Sequence, residues 1–408
     1  MNKKKIINDP VYGFIHIQSE LIYDIIQHPY FQRLRHIKQL ALANLVYPGA
    51  MHTRFQHALG AMHLMGRALE NLRNKKVDIS AEEMEAAQLA VLLHDIGHGP
   101  FSHALEESLL PSIEHESLSY LFMNALNKEF KGALDLTLKI FRNSYKRKFF
   151  HQLVSSQLDM DRLDYLKRDC FFTGVEEGTI GVDRIIAMLT VHHNELVVEE
   201  KGIYSIENFI TARRLMYWQV YLHKTSVAAE RLLVNLINRA KHLAQSGQSI
   251  AASESLKIFL EKPVSFEEFK GKPQLLSHFG NLDDNDIWGA IKFWQNDPDK
   301  ILSTLSRMLI ERKLFRIKFS NAAIRKEDVN NVKEAVSKHY KVLRAEAPYL
   351  FSYGFVSNEA YTEGQKINIL MKSGEVVDIA QASDLPSIQA LSKTVKKNYL
   401  CWPKNVSL

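Results

Sequence analysis

Residues 89–103 read Leu89-Ala90-Val91-Leu92-Leu93-His94-Asp95-Ile96-Gly97-His98-Gly99-Pro100-Phe101-Ser102-His103, and this stretch decides how the chain folds and where its chemistry sits. Its first third is a continuous apolar run. Upstream, Ser80 and Glu83 form a capping box flanked by Ile79 and Met84 as a hydrophobic staple, so a helix opens at residue 80 and delivers His94-Asp95 at its end. Gly97 and Gly99-Pro100 interrupt it, and a short helix through Phe101 and Leu105 is expected to end at Pro111. A His-Asp pair alone is expected about once in a chain of this composition, so context carries the reading. An aspartate at the end of an apolar helix is costly to bury alone, and its sequence neighbours are His98 and His103 instead of Arg or Lys. The missing partner is a cation.

Two other segments point to the same place. Thr53 and Gln56 form a T-x-x-Q box, and the helix that follows sets His57, Ala61, Leu64, Ala68 and Leu72 along one stripe. A third helix is expected from about Ser155 to Asp169, where Leu158, Asp161, Arg162 and Tyr165 share a face. Imidazoles combined with carboxylates suit Mn, Fe, Zn, Co or Ni, whereas a Mg²⁺ site is richer in oxygen. Read one at a time, His57 on an apolar stripe is a satisfied structural histidine and Asp161 a helix-surface charge. The tyrosines are core aromatics on that reading.

The chain has 408 residues, 46% hydrophobic and 24% charged. Those values exclude a largely disordered protein, and the length suggests two or three domains or lobes. The formal charge of +6 tolerates anionic ligands and leaves room for a weak nucleic-acid contact, but is too small for a nucleic-acid coat. Eleven of the 17 histidines fall within residues 1–151. Two cysteines without a zinc-type pairing favour a reducing compartment, and the basic start at Met1–Lys5 meets Pro10 before any apolar signal core. With no apolar run of about 18 residues, the expectation is a cytoplasmic protein with no membrane partner.

Apolar spacing of three and four over the first 245 residues predicts a mostly α fold, a helical bundle core over 1–245. The polar stretch from 246 to 300, punctuated by Pro263 and Asp297-Pro298-Asp299, marks a lobe boundary. Alternation in residues 366–371 and 376–379 around Ser373-Gly374 predicts a β-hairpin, so residues 246–408 form a smaller mixed α+β lobe.

The order His57, His94-Asp95, Asp161 resembles the H…HD…D signature of the HD-domain phosphohydrolases. The blocks at 7–13, 31–40 and 94–103, with Arg54-Phe55-Gln56-His57, 159–169 and Tyr221-Leu222-His223-Lys224, are similar to the deoxynucleoside triphosphate triphosphohydrolases within that group. The likeness spans about residues 5–240. It implies an HD helical bundle and metal-dependent hydrolysis of dNTPs to deoxynucleoside and inorganic triphosphate, with His57, His94, Asp95 and Asp161 as ligands and Mg or Mn on the substrate phosphates. It also implies His115 as general acid and His98 and His103 along the phosphate channel. Arg54, Arg162 and Arg213 would hold the triphosphate, with Arg54 counted among the catalytic groups. Gln39, Leu40 and Asp169 would meet the sugar, and Tyr165, Tyr217 and Tyr221 would wall it. Arg162 and Tyr217 replace a Lys and a His of a relative.

The family likeness further implies a nucleotide activator and a homotetramer, with Lys5, Asn8, Gln27 and Arg35 at the allosteric positions. Gln27 stands where an acidic residue reads guanine, which weakens a GTP-specific site. Two alternatives remain at this point: an HD phosphohydrolase of nucleoside monophosphates or cyclic nucleotides, and a non-enzymatic nucleotide sensor or nucleic-acid binder.

Overall fold

In the computed structural model, which describes residues 5–358, 366–385, 388 and 394–408, helices build the body and three small sheets sit around it. The elements that position the site are β1 (Lys5–Asp9), β2 (Gly13–Ile17), α1 (Arg54–Asn74), α2 (Ala81–Leu93), α3 (His103–Leu109), α4 (His115–Glu129) and α5 (Met160–Thr173). Then come β3 (Leu189–His192), β4 (Glu195–Glu199), α6 (Ile203–Met216), α7 (Lys224–Gln245) and α8 (Asp284–Trp294). The C-terminal part adds β5 (Arg316–Ser320), β6 (Ser352–Asn358), β7 (Asn368–Leu370), β8 (Val376–Asp378) and β9 (Val395–Trp402). The fold is mostly α, with a helical core and strands concentrated in the C-terminal part.

Helix α1 is the spine, packing on both α2 and α5. Its stripe of His57, Ala61, Leu64, Ala68 and Leu72 is fully buried, as amphipathic spacing requires. Gln56 Oε1 accepts the Thr53 N–H at 2.9 Å at the start of α1, and α2 opens on the reciprocal Ser80/Glu83 box, at 3.1 and 2.9 Å. Two glycines set close approaches. A Cβ at Gly60 would fall 1.9 Å from Asp164 Oδ1, so α1 meets α5 there as no larger residue would allow. A Cβ at Gly97 would fall 2.2 Å from the His115 carbonyl, which seats the turn after His94-Asp95 against the start of α4.

Several expected boundaries move. The helix expected from Ser155 begins at Met160, because Asp159 is its N-cap and accepts the Arg162 N–H at 2.7 Å; Leu158 therefore lies before the helix. The helix expected through Phe101 starts at His103, since Phe101 and Ser102 both take positive φ, 56° and 51°. The largely helical first 245 residues also hold two antiparallel hairpins, β1-β2 and β3-β4. Strands of four and five residues are too short to register as alternation.

The expected hairpin near Ser373-Gly374 is β7-β8, paired Asn368↔Asp378 to Leu370↔Val376, with Gly374 at φ 88°. It extends a four-stranded sheet ordered β3-β4-β7-β8 through the parallel pair Val198↔Ile369. The sheet thus joins strands from either side of residue 246. The third sheet runs β5-β9-β6. Among the described residues no helix is long and apolar enough to cross a membrane.

Candidate active site

Three elements carry His57, His94-Asp95 and Asp161 into one buried space. His57 lies on the first turn of α1, His94 is the C-cap of α2, and Asp161 is on the first turn of α5. Each imidazole is anchored through Nδ1: His57 to Asp164 Oδ2 at 2.7 Å, and His94 to the Val91 carbonyl at 2.6 Å. Those acceptors fix Nδ1 as the protonated nitrogen and turn the Nε2 lone pairs inward. Both Nε2 atoms are buried and have no hydrogen-bond partner. Asp161 Oδ1 lies 3.1 Å from His57 Nε2 and 3.4 Å from His94 Nε2, and Asp95 Oδ1 lies 3.2 Å from His94 Nε2. Such separations are those of donor atoms about 2.0–2.2 Å from a shared centre. Two orphaned imidazole nitrogens facing two carboxylates fit a divalent metal.

The field in this space favours positive charge. Burial opposes imidazolium at both histidines, yet Asp161 and Asp164 hold His57 up at about 10, and Asp95 and Asp161 hold His94 up at about 9. Against the same burial, His94 holds Asp95 and Asp161 well below the usual carboxylate range.

Behind His57 runs a buried relay that sequence reasoning missed. Asp164 accepts from Arg168 Nε at 2.9 Å and from another guanidinium nitrogen at 3.0 Å, and Arg168 reaches Asp9 Oδ2 at 2.8 Å. Asp9, Asp164 and Arg168 are all buried. The spacing of Asp164 and Arg168, i to i+4 on α5 opposite Gly60, was the available signal. The relay ties the β1-β2 hairpin to a candidate ligand.

A second histidine group adjoins the first. The rings of His98 and His115 stack at 3.8 Å, and His103 stands edge-on to both, at 4.7 and 5.1 Å. Glu106 joins them: its carboxylate lies 3.0 Å from His115 Nδ1 and 3.0 Å from His103 Nδ1, and accepts the His115 backbone N–H at 2.8 Å. Glu106 was also unforeseen; its signal was the i, i+3 spacing from His103. Burial opposes the charged form of His115, but the Glu106 hydrogen bond together with the charges of Asp95, Glu116 and Glu106 outweighs it and raises the imidazole above its ordinary value. His98 behaves oppositely, pushed well down by burial and by the Arg54 charge.

The three arginines differ in their engagement. Arg54 is buried, paired with Asp95 and donating to Ser102 Oγ at 2.6 Å, so it braces a candidate ligand within the protein. Arg162 donates to the Ser156 carbonyl at 2.6 Å and lies 3.4 Å from Asp159. Arg213 donates to Gln157 at 2.8 Å, leaving its Nε buried without a partner.

Tyr165, Tyr217 and Tyr221 converge, with ring centroids 6.1 Å apart for Tyr165–Tyr221 and 5.2 Å for Tyr217–Tyr221. The last two lie on a π-turn, Tyr217–Tyr221, that follows α6. Tyr221 donates to Asp169 Oδ2 at 2.8 Å, while His52, a residue given no role from sequence, holds Asp169 Oδ1 at 2.7 Å and stacks on Phe172. Gln39 donates its backbone N–H to the His52 carbonyl at 3.0 Å, and its side-chain oxygen is buried without a partner. Leu40 packs beside it against the core.

The four positions at which the family likeness implies an allosteric site do not share one contact. Lys5 lies over the Tyr23 ring at 3.0 Å, Arg35 over Phe55 at 3.6 Å, and Asn8 and Gln27 are exposed. Lys3 and Lys4 lie outside the described residues.

Comparison with known proteins agrees with this geometry. The profile described as HD domain matches residues 54–169, and one described as HD associated region matches residues 180–257. An uncharacterized protein of Bacillus subtilis is 32% identical over 419 aligned positions, covering 100% of this chain and 94% of that protein. The deoxynucleoside triphosphate triphosphohydrolase of Bos taurus is 27% identical over 291, covering 60% of this chain and 49% of that enzyme. The crystal structure of a phosphohydrolase from Bacteroides thetaiotaomicron superimposes with a TM-score of 0.95 at 51% identity, covering 98% of this chain and 100% of that one.

Proposed function

The chain belongs to the HD-domain phosphohydrolase family, and from that premise we propose that it hydrolyses deoxynucleoside triphosphates to deoxynucleoside and inorganic triphosphate. The observation that carries the substrate reading is the Asp169 carboxylate, held between His52 and Tyr221, with Gln39, whose side-chain oxygen is unpartnered, joined to His52 through its backbone. Asp169 and Gln39 suit a 3′-hydroxyl, and the packed tyrosines Tyr165, Tyr217 and Tyr221 disfavour a ribose 2′-hydroxyl by shape. Leu40 adds apolar contact.

His57, His94, Asp95 and Asp161 would hold the metal, drawn from Mn, Fe, Zn, Co or Ni, with Mg or Mn accompanying the phosphates. When bound, such a cation supplies Lewis acidity toward a phosphoryl oxygen and toward water. The protein's own groups do the remaining work. His115, kept protonated by Glu106, gives its Nε2 proton to the departing 5′-oxygen. Neutral His98 and the exposed His103 line the phosphate path. Arg162 and Arg213 neutralise phosphate charge, the unpaired Nε of Arg213 being one free donor. Arg54 acts on Asp95 and the adjoining turn.

A nucleotide activator and a homotetramer, engaging Lys5, Asn8, Gln27 and Arg35, belong to the same reading, as does a reducing cytoplasmic setting for the free Cys170 and Cys401. The test is each dNTP, alone and in pairs, with Mn²⁺. Inorganic triphosphate is the expected product. Orthophosphate or pyrophosphate as the sole inorganic product overturns the reaction, and a dNTP cleaved only beside a second nucleotide reveals the activator.

A further inference from the structure

We propose that Asp284, from α8, is a positioning residue that fixes the active-site turn 96–103 from outside the HD domain. In sequence, Asp283-Asp284-Asn285-Asp286 is a solvated helix start, and Asp283 does serve as N-cap, accepting the Asn285 N–H at 2.7 Å. Asp284 does something else. It is 3% exposed and points away from its own helix. Its Oδ1 accepts the backbone N–H of Phe101 at 2.7 Å, and its Oδ2 accepts that of Lys38 at 3.0 Å. One carboxylate therefore satisfies two backbone amides, that of Phe101 buried and that of Lys38 partly so, on two segments that converge on the site.

Both amides sit where backbone placement matters. Phe101 and Ser102 are consecutive non-glycine residues at positive φ, a conformation that persists only where surrounding contacts enforce it. Ser102 receives Arg54 Nε, and His103 follows directly. Lys38 pairs with Thr53 in an isolated bridge, and its neighbour Gln39 bonds the His52 carbonyl. A shift at Asp284 would thus reach Arg54, His103 and Gln39 together.

The same stretch of chain grips the turn at other points. One helical turn after Asp284, the Trp288 ring meets the Phe101 ring at 5.8 Å. Phe279 lies where a Cβ on Gly99 would fall 3.0 Å from it. Arg33, buried, spans the two segments by donating to the Ile96 carbonyl at 2.6 Å and the Leu282 carbonyl at 3.2 Å. Residues 279–288 lie beyond both matched regions, 54–169 and 180–257. The HD turn is therefore completed by chain outside those regions. Lys38 and Asp283 are the charged groups facing Asp284, and burial pushes its carboxyl up to about 6, which leaves it ionised and accepting at neutral pH.

The test uses the full chain with Asp284→Ala and Asp284→Asn, reading amide exchange over 97–103, Mn²⁺ content, and kcat and KM on the dNTP that the wild type turns over best. With alanine, exchange over 97–103 should rise about tenfold or more while α1, α2 and α5 stay protected. The ligand residues are untouched, so Mn²⁺ stoichiometry should hold. Misplacing the turn should lower kcat about 10- to 100-fold with KM changed much less. Asparagine keeps one acceptor oxygen but turns an N–H₂ toward the other amide, so its losses should be smaller and of the same kind.

Wild-type exchange over 97–103 in the alanine variant overturns the proposal, as does equal loss of protection and Mn²⁺ throughout the core, which marks a merely structural role. If the alanine variant does not fold, the near-isosteric asparagine variant decides by the same exchange measurement. The kinetic readout rests on the dNTP reading. A wild type that turns over no dNTP defeats that reading, while exchange and Mn²⁺ content still judge Asp284.

Discussion

Two groups of histidines lie side by side in this molecule, and their partners give them opposite chemistry. In the first, His57 and His94 are tied at Nδ1 to Asp164 and to the Val91 carbonyl, and their buried Nε2 atoms face carboxylates without a hydrogen bond. In the second, His103 and His115 are tied at Nδ1 to one glutamate, and the His103 side chain is 68% exposed against 0% for His57. The first arrangement offers convergent lone pairs, the donor set of a metal. The second holds an imidazole, His115, raised above its ordinary value, which under the proposed reading is the donor of a proton. The residue type is the same; the acceptor behind each ring and the access of water assign the task.

The largest effect expected is at the first group. His94→Ala combined with Asp95→Ala should remove bound metal, measured by elemental analysis, and lower hydrolysis by about 10³-fold or more. Metal retained at wild-type stoichiometry would break the distinction between the groups. Next comes the second group. His115→Asn should slow kcat about 10²- to 10⁴-fold while sparing metal content. Glu106→Gln sharpens the point through pH. A general acid works while protonated, so activity falls as pH rises through its folded pKa; removing the Glu106 charge lowers that pKa and should move the alkaline limb of the kcat profile downward. An unmoved limb would detach Glu106 from His115.

A smaller effect is expected behind the first group. Asp164→Asn leaves the ligands in place but removes the carboxylate that orients His57, and should weaken metal affinity about 10- to 100-fold by titration. Unchanged affinity would mean that the relay to Arg168 and Asp9 serves folding alone. The smallest belongs to the scaffold that delivers His94. Glu83 caps α2, accepts from Tyr145 at 2.6 Å and pairs with Arg147 at 2.8 Å. Burial opposes its ionisation, but those partners hold it below the usual range. A depressed carboxylate contributes stability present above its unfolded pKa and lost as pH falls through its folded one. Glu83→Gln should therefore lower Tm by about 2–5 °C at neutral pH, and the difference should vanish in acid. A difference that persists in acid would assign it to packing.

Much of the first group was legible because its residues stand next to strong local signals. His57 follows a Thr53/Gln56 box, and His94-Asp95 ends a run too apolar to leave an aspartate unpartnered. The second group was legible only in its histidines. Glu106 reads as one more carboxylate on a short helix, and only the fold brings it between His103 and His115. Arg54 shows the reverse, since its type suggested phosphate while burial gave it Asp95 and Ser102.

By itself, then, the sequence determined the helical bundle, the order of the metal-type residues along it and the histidine excess that supplies both groups, because helix caps, apolar periodicity and punctuating glycines act within a few residues of one another. Tertiary structure alone decided what stands behind each side chain. Asp164 behind His57, His52 behind Asp169 and Asp284 behind Phe101 are separated from their partners by 107, 117 and 183 positions. Over such distances no local rule links two residues. The contact forms because the buried amide or imidazole left after packing needs a partner, and the folded chain places one carboxylate within reach.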